Sequence, residues 1–191
     1  MSTIDHIQFN RDIYEHATNS TLLLYQLDGI AVAIPMPNAN LMCFIQVFDN
    51  LLQCEDFIHT NAGKLITLFA YDKNLQRWLI QNSPVPNNIR NVKIFCHADD
   101  QLFLTRWINR YRHTYANICF EIITFDDLNH ALLEFGLKQI QRLREEFQSD
   151  FGILNVLDQD YREICQSLGN YALYKANIEL ERIRQSEEAQ N

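Results

Sequence analysis

Glycine and proline are scarce, at five and four residues in a chain of 191. Turn-dense all-β folds draw on both residues at their many tight turns. Their shortage argues against a sandwich or a barrel. It also leaves no glycine-rich loop. Neither G-x-G-x-x-G nor G-x-x-x-x-G-K-[ST] occurs. Without them the backbone cannot easily approach a pyrophosphate closely, so Rossmann-type dinucleotide enzymes and P-loop enzymes are disfavoured. The G-x-S-x-G elbow of the α/β hydrolases is absent as well. Positive charge is in short supply, with 16 Lys and Arg against 24 Asp and Glu and a net charge of −8. Phosphate backbones and anionic membranes need clustered cations, so neither is an expected partner. No apolar run approaches the ~18–20 residues that span a bilayer. The segment Met1 to Arg11 lacks the apolar core of a secretory signal. The cysteines Cys43, Cys54, Cys96, Cys119 and Cys165 are odd in number and widely spaced. They contain no C-x-x-C and no zinc-ligand spacing. Reduced thiols in a cytoplasmic setting are expected.

What is present is a core-forming composition. Apolar residues make up 47% of the chain, including twelve Phe, eight Tyr and two Trp, which is enough for a packed domain. Residues 4–18 have loose helical spacing and read as a short helix. A strand-like run, Thr21 to Leu27, is followed by Asp28-Gly29 and a second run, Ile30 to Ile34. Asp-Gly between apolar runs signals a two-residue hairpin turn. An Asp at the end of a first parallel strand fits the same residues. Both readings stand.

From residue 41 the pattern is regular. Strands are expected at 41–48, 64–71, 92–96 and 118–125. Each is followed by an amphipathic helix that starts near an Asp: Asp49, Asp72, Asp99 or Asp100, and Asp126 or Asp127. Alternating strands and helices imply βαβ crossovers and a parallel sheet. Continuously apolar strands imply helices on both faces. The expected fold is α/β: a three-layer, flavodoxin-like domain with a small, mostly parallel sheet at 1–149, and a helical tail at 150–191. The tail reads as two helices, about 156–168 and 171–186, broken at Gly169-Asn170. Its apolar stripe needs cover, from its own domain or from a second copy. In a homodimer Tyr171, Tyr174 and Ile178 are the expected centre of the interface.

Ligands of open α/β sheets bind beyond the carboxyl ends of the strands. That edge carries Asp28, Asp72, Lys73, His97, Asp99 and Asp126 as candidate ligand residues. Converging carboxylates could hold Mg²⁺, but Asp is also a preferred helix cap. Capping is the simpler account. Arg106, Arg110 and His113 form the one basic face, beside Trp107 and Tyr111. No catalytic residue, cofactor or metal is assigned.

The residues Leu23-Leu24-Tyr25-Gln26-Leu27-Asp28, Gln53-Cys54 with Phe57-Ile58, Lys64 to Leu68, and Phe125-Asp126-Asp127-Leu128 carry a family resemblance over about 120 residues. The chain resembles a degenerate receiver or TIR domain, of the kind that precedes ADP-ribosyltransferase domains or tetratricopeptide repeats. The resemblance implies Asp72 at the phosphoacceptor position and Asp28 at the metal-binding acid. The chain departs from the receiver pattern in three places. An acidic pair after the first strand is missing, His97-Ala98 replaces Ser or Thr, and Asp126 replaces the expected Lys. The TIR resemblance requires a catalytic Glu, for which only Glu55 and Glu121 are placed. The expected function is therefore a non-catalytic protein-interaction or regulatory module that binds a protein partner or itself. The alternative is a nucleotide- or phosphoryl-processing enzyme working at the carboxyl edge of the sheet.

Overall fold

The computed structural model describes residues 13, 19–24, 26–27, 30–31, 45–80, 85–111 and 113–188. Two compact units divide the chain, one within residues 1–131 and one within 132–191. The division falls inside a helix, upstream of the 149/150 boundary that the strand pattern favours.

The first unit is built on five parallel strands. They are β1 (Asn19–Leu24), β4 (Ile45–Phe48), β5 (Leu65–Tyr71), β6 (Ile89–Cys96) and β7 (Cys119–Thr124), in the spatial order β4-β1-β5-β6-β7. Counted by chain order, the parallel strands run 2-1-3-4-5, a doubly wound order. β2 (Gln26–Leu27) and β3 (Ile30–Ala31) pair antiparallel, Leu27 with Ile30. β1 ends at Leu24, so Asp28 does not terminate the first parallel strand. The hairpin reading matches the flanking pairs, and Asp28-Gly29 itself lies outside the described residues. So do residues 32–44 and, apart from the helical and buried Ile13, the expected helix at 4–18.

Helices α1 (Leu51–Thr60), α2 (Asp72–Ile80) and α3 (Gln101–Tyr111) link β4 to β5, β5 to β6 and β6 to β7. All three crossovers step across the sheet in one direction. A uniform crossover hand therefore puts the helices on one face. The core agrees. Leu22, Leu24, Leu68, Ala70, Val92 and Ile94 of alternate strand positions join Ile58 of α1, Trp78 of α2 and Leu104 of α3 in one cluster. The intervening positions Leu23, Phe69 and Phe95 are equally buried. Both sheet faces are covered, which explains the unbroken apolar strands. α1 is capped by Asn50, whose Oδ1 accepts from the Leu52 N–H at 2.8 Å. Asp49, the expected start, is one residue outside.

α4 (Leu128–Glu146) and α5 (Phe151–Glu188) follow a short 3₁₀ turn, Phe125–Asp127. Within the second unit they lie antiparallel. Arg144 pairs with Asp158 at 3.0 Å, and Gln141 Nε2 donates to the Tyr161 hydroxyl at 3.4 Å. Ile140 and Leu143 of α4 and Leu157 and Ile164 of α5 are buried. Asp150 caps α5, its Oδ1 accepting from the Ile153 N–H at 3.0 Å.

The expected break at Gly169-Asn170 is absent, because α5 runs through it as one helix of 38 residues. A lone glycine weakens a helix by about 1 kcal/mol without stopping it. Glycine commonly ends a helix by adopting a left-handed conformation, and Gly169 does not adopt one. No described helix is long and apolar enough to cross a membrane.

Candidate functional site

In a 2-1-3-4-5 sheet the crossover direction reverses between the first and third parallel strands. The crevice beyond their carboxyl ends is the usual ligand position. β5 delivers Tyr71 and Asp72 to that point. Asp72 is the first residue of α2 and only 1% exposed. Its Oδ2 lies 3.1 Å from the Lys73 ammonium and accepts from Gln76 Nε2 at 3.3 Å. Its Oδ1 is buried and has no hydrogen-bond partner. Burial raises the Asp72 carboxyl above its ordinary value, against the lowering pull of Lys73 through its side chain, charge and backbone N–H. For Lys73, burial acts downward, but the hydrogen bond and charge of Asp72, with Asp100 behind, outweigh it and raise the ammonium. Lys73 also stands 4.0 Å from Asp100.

Aromatic rings fill the neighbouring space. Phe125 contacts Tyr71 at 5.6 Å, Phe95 at 5.4 Å and His97 at 4.9 Å between centroids. Burial, then the Asp72 charge, pushes the Tyr71 phenol up. The Cys96 thiol is pushed up to about 11, by burial first and then by Asp72 and Asp100. A thiol in this state is not a nucleophile at neutral pH.

The structure therefore gathers Asp72, Lys73 and Asp100, with His97 held at the rim by Phe125. Asp99 and Asp126 are exposed. Asp28 lies outside the described residues. Tyr71 and Gln76 complete the site without having been singled out in the sequence, and Phe125, quoted there only for the family resemblance, joins them. A strand-end Tyr and a post-strand Phe look like ordinary core residues there, and only the register of β5, β6 and β7 brings their rings together. Capping is only part of the account of the strand-end acids. Asp72 meets the Lys73 backbone N–H, and Asp127 accepts from the Thr124 hydroxyl at 2.7 Å. The 3₁₀ turns after β6 and β7 have no side-chain cap.

Among the described residues, no group of three or more His, Cys, Asp or Glu is placed to hold a metal ion. Glu121 is salt-bridged to Lys93, which lies over the Phe69 ring. This pair sits in mid-strand, away from the carboxyl edge. On the basic helix Trp107 is buried and packs at a tilt against Tyr111, 4.9 Å between ring centroids, so its aromatic side faces the core and leaves Arg106 and Arg110 exposed.

In the second unit, the α4–α5 register brings Leu132 opposite roughly residue 170. No described residue after Ile164 is buried, and Leu173, Tyr174, Leu180 and Ile183 are 66%, 62%, 56% and 48% exposed. Of the expected interface residues, Tyr171 and Ile178 are half-buried and Tyr174 is exposed. No family model, curated protein or solved structure matches this chain.

Proposed function

We propose that the chain is a non-catalytic protein-interaction module that assembles through α5, most simply as a homodimer. The exposure of Leu173, Leu180 and Ile183 along one face of the second half of α5 carries this reading. Soluble chains rarely leave a contiguous apolar surface unless it docks on something. The carboxyl edge supports it too. Asp72 is shut off from solvent, and the rings of Tyr71, His97 and Phe125 pack against one another at this edge. The 2-1-3-4-5 order and the buried thiols fit a flavodoxin-like regulatory domain of the cytoplasm. Light scattering on the intact chain tests the reading. The expected mass is above 22.5 kDa at micromolar concentration, and Leu173→Asp with Leu180→Asp returns it to the monomer. A monomeric parent at high micromolar concentration overturns self-assembly.

One observation favours a second reading, a receiver-like or TIR-like phosphoryl or nucleotide enzyme. The partnerless Asp72 Oδ1 sits at the switch point beside a lysine. A ligand of the native state must raise its stability. Thermal melts with Mg²⁺, phosphate mimics, NAD and nucleotides are therefore expected to be unshifted. A shift that disappears in Asp72→Asn would promote this reading over the first.

A further inference from the structure

The exposed face of α5 has a definite sequence. Successive helical residues are roughly 100° apart. Cys165, Gly169, Leu173, Ala176, Leu180 and Ile183 then fall within one stripe roughly 100° wide and about 27 Å long. All six are exposed. Their steps of four and three residues are those of a coiled-coil seam. No charged residue lies between them on the stripe. Arg162 continues the line at one end and Glu187 at the other. Tyr171 and Ile178 belong to a different face, as does the buried Ile164.

Two identical helices can share this seam in two ways. A parallel, in-register pair stacks Gly169 on Gly169 and Ala176 on Ala176, leaving voids between layers of Leu on Leu. It also sets Arg162 against Arg162 and Glu187 against Glu187. An antiparallel pair about a two-fold axis between residues 174 and 175 does the opposite. Gly169 then faces Leu180, Ala176 faces Leu173, and Cys165 lies next to Ile183. Arg162 faces Glu187 at both ends. Small residues meet large ones and opposite charges meet, with the same contacts repeated by symmetry. We infer that α5 pairs antiparallel with α5 of a second copy along this seam. The inference rests on the assembly reading above and adds its orientation and register.

Cysteine cross-linking tests it. The two Cys165 residues are adjacent in a parallel pair and about 28 Å apart in the antiparallel one. The intact chain and its Ile183→Cys variant are oxidised mildly, and the bridges are mapped by mass spectrometry. The expected result is a Cys165-to-183 bridge between copies in the variant and no Cys165–Cys165 bridge in the parent. Arg162→Glu is expected to weaken assembly severalfold, and Glu187→Arg added to it to restore it. An assembled parent that bridges Cys165 to Cys165, or a variant that bridges 183 to 183, overturns the antiparallel seam and leaves the interaction reading standing. A monomeric parent removes both. Far-ultraviolet circular dichroism on each variant shows that the helix persists.

Discussion

Asp72 has one carboxylate oxygen engaged by Lys73 and Gln76 and the other buried without a partner. An unpartnered buried polar atom opposes ionisation. The group's native pKa is accordingly raised above 3.8, chiefly by burial. A carboxyl raised on folding contributes most below its unfolded value, and the contribution is lost as pH rises through the native one. The stability of the parent relative to Asp72→Asn is therefore expected to be greatest near pH 3.8 and to shrink as pH rises above it. Urea unfolding of both proteins across that range measures the difference. A difference that grows with pH would mean that Lys73 more than offsets the burial. The thiols divide in the same way. Cys54 and Cys96 are buried and pushed up to about 12 and about 11, whereas Cys119 and Cys165 are exposed. Among these four, a thiol reagent is expected to modify Cys119 and Cys165 within minutes and the other two only on unfolding. Rapid loss of the Cys54 or Cys96 thiol in the native protein would contradict the packing of α1 or β6.

At the scale of the element, boundaries depend on which side chain reaches the free N–H groups. Asn50 has extended backbone and accepts from Leu52 and Gln53, which makes it the cap of α1. Asn50→Ala is expected to cost about 1 kcal/mol. Asp49→Ala next to it is expected to cost less than half as much, because its side chain holds no cap. Chemical denaturation of the two variants decides this, and equal losses would move the cap. The far end of α1 is tied across the fold. The Asn88 amide donates to the carbonyls of Ile58 and Asn61, both at 3.2 Å. The loop before β6 thus satisfies carbonyls that the helix leaves open.

For the whole molecule, the decisive contrast is between a sheet buried on both faces and a long helix with no fully buried residue after Ile164 among those described. Ending the chain after Leu168 removes no buried residue. The melting temperature is expected to change by no more than about 4 °C, the shift that roughly 1 kcal/mol produces in a domain of this size. Light scattering of the same shortened chain is expected to show only the monomer. A large drop in melting temperature would place residues 169–188 in the fold rather than in an interface.

Much of this could be read without coordinates. Strand–helix alternation is a local, periodic signal, and it located β5, β6, β7 and helices α1 to α4 to within a few residues. The candidate edge was readable for the same reason, since a doubly wound sheet places the residues after each strand on one side. Sequence alone could not rank those residues. Asp72, Asp99 and Asp126 look alike as strand-end acids, and only tertiary packing makes Asp72 buried and leaves the other two in water. The continuity of α5 was also beyond local reading. Gly169-Asn170 weakens a helix and can end one, and the outcome depends on the energy of the turns on either side. The apolar seam followed from that outcome. Broken at residue 169, the stripe from Cys165 to Ile183 would be split between two helices. In one unbroken helix it is a single face, because helical phase is kept only where the backbone hydrogen bonds are continuous.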